Sequence, residues 1–160
     1  MPDIETGRCW LLKSEPSEVS IDDLAAAPGQ RIGWFGVRSY QARNFMRDDM
    51  RVGDLGFFYH SSCPQPGIAG IVRVVEAAHP DPSQFDPVSP YFDPKSDPAN
   101  PRWVQVQVEL MKKTRLLSLA ELREIPALSG MRLLQKGNRL SITPVSGDER
   151  TIILRLLEAP

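Results

Sequence analysis

The sequence predicts an α+β domain, a small mixed β-barrel with flanking short helices. Short apolar runs rich in β-branched and aromatic residues recur along the chain, each too short for a confident helix. Capping boxes at Ser20 and Ser118 open short segments between them, each cap satisfying backbone N–H groups that a helix start leaves unpaired. No regular strand-helix-strand spacing joins these units, so a doubly wound parallel sheet is not expected. A length of 160 residues suits one hydrophobic core. Residues 8–160 are therefore expected to form a single domain behind a flexible start over residues 1–7.

Residues 9–13 read as a short buried strand stopped before Pro16, which cannot donate to a ladder. The box from Ser20 to Asp23 opens a helix that Pro28 and Gly29 end, and residues 31–35 form the next strand. Tyr40, Phe45 and Met46 stand near helical spacing within residues 39–50. Residues 54–61 and 67–77 then read as two strands joined by a Pro- and Gly-containing loop of hairpin character. Seven of the fifteen prolines fall between residues 80 and 101, an extended loop whose Phe85, Tyr91 and Phe92 should anchor it to the body. Residues 103–108 alternate apolar and polar as a half-buried strand does. The box at Ser118 opens a helix ended by Pro126, residues 128–134 make a further helical turn or two, and residues 140–145 form a short strand. Ser146 caps a last helix with Ile152, Ile153, Leu156 and Leu157 on one face.

Apolar residues at 41% and charged residues at 24% match globular averages. The longest apolar runs fall well short of a membrane span, and the acidic start lacks the apolar stretch of an export signal, so a cytosolic protein is expected. Cys9 and Cys63 are then reduced thiols. A net charge of −1 argues against indiscriminate polyanion binding. The charge is uneven, however. Arg31, Arg38, Arg43, Arg47 and Arg51 face only Asp48 and Asp49 in their segment, whereas residues 76–100 carry five acids against Lys95. A basic face opposite an acidic one and a salt-bridged surface both satisfy this pattern.

Three strand ends share a design, an apolar run followed by side chains that donate and accept hydrogen bonds. They are Lys13-Ser14-Glu15, Trp34 with Arg38-Ser39-Tyr40-Gln41, and Tyr59-His60-Ser61. Brought together, they would line a small-ligand pocket with an aromatic wall. Taken singly, Trp34 suits core packing and His60 suits a structural role equally well. Lys13, Glu15, Tyr59 and His60 could also be assembled into a hydrolase site, but the chain has no nucleophile elbow, paired-histidine helix or phosphate-cradling loop. His60 and Cys63 have metal-ligand spacing that Cys9 and His79 complete in no recognised pattern, so no metal or cofactor is expected. A protein-interaction module using the proline-rich loop is a third possibility.

Seven ordered motifs run through almost the whole chain: Trp10-Leu-Leu-Lys-Ser-Glu-Pro16, Gly36-Val-Arg-Ser-Tyr-Gln-Ala-Arg-Asn44, Gly53-Asp54 leading to Phe58-Tyr-His-Ser61, Pro66-Gly67 to Gly70, Tyr91-Phe-Asp-Pro-Lys-Ser96, Arg102-Trp103 and Leu140-Ser-Ile-Thr-Pro-Val145. In this order they resemble the EVE domain. The resemblance implies a PUA-like β-barrel, related to YTH and ASCH domains, that reads a modified nucleobase flipped out of its strand. It implies that Lys13, Ser14, Trp34, Arg38 and Ser39, with Tyr40, Tyr59, His60 and Ser61, face the base, and that Arg43, Arg47 and Arg102 contact the backbone. Ser39 stands where the family usually has Asn, which keeps a helix cap and removes an amide. The expected partner is nucleic acid with a modified base, DNA before RNA and modified cytosine first, read without catalysis. A monomer is expected in the bacterial cytosol or nucleoid, or in the nucleus of a eukaryote, with room for a separate effector protein and no membrane.

Overall fold

The computed structural model describes residues 7–158. Residues 1–6, on which the expectation of a flexible start mainly falls, lie outside the described residues, as do 159 and 160. Six strands form one mixed sheet: β1 (Cys9–Ser14), β2 (Arg31–Gly33), β3 (Leu55–His60), β4 (Gly67–Pro80), β5 (Val104–Ser118) and β6 (Ile142–Val145). Their spatial order is β2-β5-β4-β3-β1-β6. β3, β4 and β5 form an antiparallel meander, β1 runs parallel to β3, and β6 runs antiparallel to β1.

The α+β class agrees with expectation, but the barrel does not close. Its edges are β2, with three residues, and β6, with four, and these are not paired to each other. The curvature is concentrated in β4 and β5, whose pairing shifts register four times, and bulges of this kind bend and twist a strand pair. β5 reaches Ser118, well beyond the alternating stretch that marks its start, because Lys112, Lys113 and Arg115 interrupt the apolar signal on solvated positions.

Alternation along the central strands sends side chains into two cores. Trp10, Leu12 and Phe58 pack on one face with Trp34 and Met46, whereas Leu11, Phe57 and Tyr59 pack on the other with Leu122, Ile153 and Leu157. Both faces being covered, β1 and β3 read as continuous apolar runs. Four short helices close the faces: α1 (Ile21–Ala26), α2 (Tyr40–Asn44), α3 (Leu119–Arg123) and α4 (Gly147–Glu158). Ser20 and Ser118 make reciprocal capping boxes, Ser146 and Glu149 do the same before α4, and the Ser39 hydroxyl accepts the Ala42 N–H to start α2. α2 runs on into a π-turn over Phe45–Asp49. Residues 128–134 are shorter than a helix, contributing only the end of one 3-10 turn, Pro126–Leu128, and a second, Arg132–Leu134.

The proline-rich loop is held to the body through two fully buried polar side chains, Asp81 and Gln84. The Gln84 amide donates to the carbonyls of Asp81 and Trp103, and its oxygen accepts from the Trp103 N–H and the Ser96 hydroxyl. Every hydrogen-bonding position of that amide is used, so its burial costs little.

Asp54 ties the start of β1 to the end of the π-turn. Its buried carboxylate accepts from the Arg8 N–H, the Trp10 indole N–H at 3.0 Å and the Arg51 N–H at 3.0 Å. Replacing Asp54 by Ala would strand these donors, each at about 1–3 kcal/mol. Urea unfolding should show Asp54→Ala less stable by about 3 kcal/mol, with Asp54→Asn intermediate because its amide oxygen can still accept.

Candidate functional site

Parallel strands end on the same edge of a sheet, so the pairing of Ser14 with His60 sets the polar ends of β1 and β3 side by side. The ladder continues past them, with the Ser61 N–H donating to the Ser14 carbonyl at 2.9 Å. β6 begins at this same edge, where the Ser141 carbonyl accepts the Lys13 N–H at 2.8 Å. Beyond β2, the Trp34 N–H donates to the Val106 carbonyl at 2.7 Å and brings the indole in from the far side. Between these ends lies a cavity of about 350 Å³.

Trp34 is only 6% exposed and meets Phe58 nearly perpendicularly, with ring centroids 5.4 Å apart. It also lines the cavity, so the indole is core on one side and wall on the other. Lys13, Ser14 and Ser61 line the cavity as well. The Ser14 hydroxyl is committed to the Val19 carbonyl at 2.6 Å. The Lys13 ammonium has no hydrogen-bond or ion-pair partner among the described residues, and burial pulls its pKa below the ordinary lysine value. Two carboxylates share the lining. That of Glu15 is exposed and unpaired among the described residues, and that of Glu18 accepts the Tyr91 hydroxyl at 2.6 Å.

Tyr91 belongs to the proline-rich loop and completes the wall. Burial, then its bond to Glu18, push its phenol up to about 12, so it is a neutral donor at neutral pH. The loop is clasped there by Arg38. The guanidinium donates twice to the Tyr91 carbonyl, once to buried Asp81 at 3.1 Å and once to the Ser83 hydroxyl. Asp81 also accepts the Gly36 N–H at 2.8 Å. Gly36 has φ +80°, and a Cβ there would come within 2.8 Å of the Tyr91 ring. Only glycine satisfies both the turn and that close approach.

The structure gathers four of the sequence-derived residues at the cavity, Lys13, Ser14, Trp34 and Ser61, and places the others elsewhere. Arg38 stands behind the wall as the clasp. Ser39 caps α2. Tyr40 lies outside the lining on an exposed stack with Trp103. Tyr59 packs into the opposite core, because it follows Phe58 on a strand whose successive side chains alternate faces. The His60 Nε2 accepts the Ile21 N–H at 3.1 Å, which commits the ring to the start of α1. Arg43 bonds to the Asn44 amide oxygen and the Arg102 carbonyl, Arg47 pairs with Asp48, and Arg102 lies 3.9 Å from Asp93. Thus the basic segment meets the acidic loop directly, as Arg38 with Asp81 shows.

Sequence reasoning overlooked Glu18, Tyr91, Arg139 and Ser141 as lining residues. Tyr91 carried a signal, an aromatic within a proline-rich loop. Arg139 sits in a turn segment whose approach to β1 depends on the β1–β6 pairing.

The family model described as the EVE domain matches residues 8–156. This chain belongs to the EVE domain family. Among similar curated proteins, thymocyte nuclear protein 1 of Homo sapiens is 41% identical over 93% of this chain and 73% of its own length. A crystal structure from Pseudomonas putida is 48% identical, with a TM-score of 0.88 over 92% of this chain and 98% of that one. A crystal structure of human THYN1 protein in complex with 5-methylcytosine-containing DNA is 41% identical, with a TM-score of 0.89 over 96% of this chain and 99% of that one.

Two outcomes follow for this EVE domain. Gly36→Ala should cost about 1–3 kcal/mol and loosen residues 80–101, seen as faster hydrogen exchange or proteolysis there while β1 and β3 stay protected. Burial also pulls the pKa of His60 below its ordinary value of 6.5, with Asp22 opposing. The unfolded chain then binds the proton more readily, so the His60 contribution is present above pH 6.5 and is lost as pH falls below it. Urea midpoints should drop from pH 7.5 to pH 5.5, with a shallower drop in His60→Gln.

Proposed function

We propose that this EVE domain is a non-catalytic reader that takes one modified base, modified cytosine in DNA first, into the cavity beside Trp34. The observation that carries the reading is the Trp34 wall together with Lys13, whose ammonium has no partner among the described residues, and an exposed Glu15 carboxylate. Cytosine presents an amino donor beside ring acceptors, and acids accept from that amino group as they do on base edges. A lysine donor and a glutamate acceptor complement such an edge. The cavity, about 350 Å³, falls at the lower end of the roughly 300–1,000 Å³ of small-ligand pockets. The human relative's complex with 5-methylcytosine DNA supports the same ligand class.

The hydrolase alternative draws less support, since Tyr59 is buried in the opposite core and the His60 ring is committed to the Ile21 N–H, so that neither lines the cavity with Lys13 and Glu15. No helix among the described residues is long and apolar enough to cross a membrane, and we place the protein where the cell keeps its nucleic acid.

Stacking on an aromatic contributes about 1–3 kcal/mol and tolerates any base, whereas burying one methyl adds about 0.8 kcal/mol. Modified cytosine should therefore bind only about fourfold tighter than plain cytosine unless the plain base leaves a void or an unpaired group. Single strands should bind better than duplexes, because extrusion costs a few kcal/mol. Fluorescence anisotropy with short strands carrying methylated, hydroxymethylated or plain cytosine, or methylated adenine, tests the reading. Trp34→Ala should weaken the preferred strand about tenfold or more, and Lys13→Met should erode the preference among bases. Equal affinity across the panel, untouched by Trp34→Ala, overturns the proposal. Release of a new nucleoside product, detected by mass and lost in Lys13→Ala, would favour the hydrolase.

A further inference from the structure

Outside the cavity stands a second aromatic surface. Tyr40, at the first turn of α2, is 53% exposed, the most exposed aromatic ring among the described residues. One side of its ring stacks on Trp103, with centroids 5.0 Å apart and planes 25° from parallel. Trp103 is buried and its indole N–H donates to Asp93 at 2.7 Å, so the backing is rigid. The Arg43 guanidinium lies 4.7 Å from the centre of the Tyr40 ring and is itself held by the Asn44 amide oxygen and the Arg102 carbonyl. The Tyr40 hydroxyl has no hydrogen-bond partner among the described residues.

A flat, immobilised ring with a fixed cation at its side is a stacking platform of the kind single-stranded nucleic acid uses. Because its parts are already ordered, binding there spends little further side-chain entropy. A chain of packed side chains also links the platform to the cavity wall. Tyr91 lines the cavity, the Arg38 guanidinium lies 5.6 Å from the centre of the Tyr91 ring and 5.3 Å from that of Trp103, and Trp103 carries Tyr40. Arg43, whose hydrogen bonds go to the neutral oxygens of Asn44 and Arg102, supplies positive charge beside the ring of the kind a phosphate backbone needs.

We propose that the outer face of Tyr40 is a second nucleobase site, which stacks an unpaired base neighbouring the one held in the cavity of the same strand. This rests on the reading of the cavity as a base site. The two sites divide the work: the cavity selects the base, and Tyr40 adds affinity that is blind to base identity and requires an unpaired neighbour.

The test is a cycle on the full chain, read by anisotropy, with a single-stranded hexamer carrying one central 5-methylcytosine and the same hexamer with abasic sites flanking it. Tyr40→Ala should weaken the intact hexamer about tenfold, while Tyr40→Phe, which keeps the ring, should bind as wild type does. The abasic hexamer should bind wild type more weakly and be unaffected by Tyr40→Ala, and the ratio of methylated to plain cytosine should not change in any Tyr40 variant. Unchanged binding of the intact hexamer by Tyr40→Ala overturns the proposal. So does an equal loss on both hexamers, which a Tyr40 that merely covers Trp103 would give, and so does a collapsed methyl ratio, which would make Tyr40 part of the cavity. Failure of the cavity reading shows separately, as equal binding of methylated and plain strands with Trp34→Ala inert, whereas the abasic comparison can be repeated with plain cytosine at the centre.

Discussion

The parallel pairing of β1 with β3 is the constraint on which the rest of the molecule depends. In an all-antiparallel meander the polar ends of these strands would lie on opposite edges. Parallel pairing sets Lys13 and Ser14 beside His60 and Ser61, and β6, antiparallel to β1, brings Ser141 and the preceding turn to the same edge. A parallel connection needs a long crossover. Here it is supplied by the stretch from α1 through the π-turn, which also delivers Trp34, the Arg38 clasp and Tyr40. The crossover therefore contributes the second half of the site.

Electrostatics is spent on assembly in this arrangement. Arg38 is consumed by Asp81, Ser83 and the Tyr91 carbonyl, and Arg31 by Glu109. A buried, paired charge such as Asp81 is a poor source of net stability, but with all its acceptor positions directed it sets one geometry for Gly36, Arg38 and the loop. Lys13, which lines the cavity, by contrast keeps an ammonium without a hydrogen-bond or ion-pair partner among the described residues. This contrast between committed charges around the wall and an uncommitted one on a lining residue supports the proposed reading of the cavity as a ligand site.

Much of this was legible along the chain. Apolar runs, capping boxes and proline breaks marked the strands and helix starts, since these signals are local: a strand buried on both faces must be apolar, and a helix start must satisfy its N–H groups. The motifs also marked the family, and with it Lys13, Ser14, Trp34 and Ser61. Tyr59 and His60 were harder to place. They adjoin Ser61 in sequence, yet one faces the opposite core and the other caps α1, because facing depends on strand alternation and on which helix packs at the edge.

The sequence by itself determined the α+β class, the element order, the family and the polar ends of β1 and β3, because each follows from residues close together in the chain. Only the tertiary structure decided that the sheet stays open, that Tyr91 and Arg139 line the cavity, that Arg38 clasps the loop and that Tyr40 stands apart on Trp103. Those outcomes depend on contacts between residues tens of positions apart, such as Arg38 with Asp81 and Tyr40 with Trp103, and no local pattern specifies such pairings.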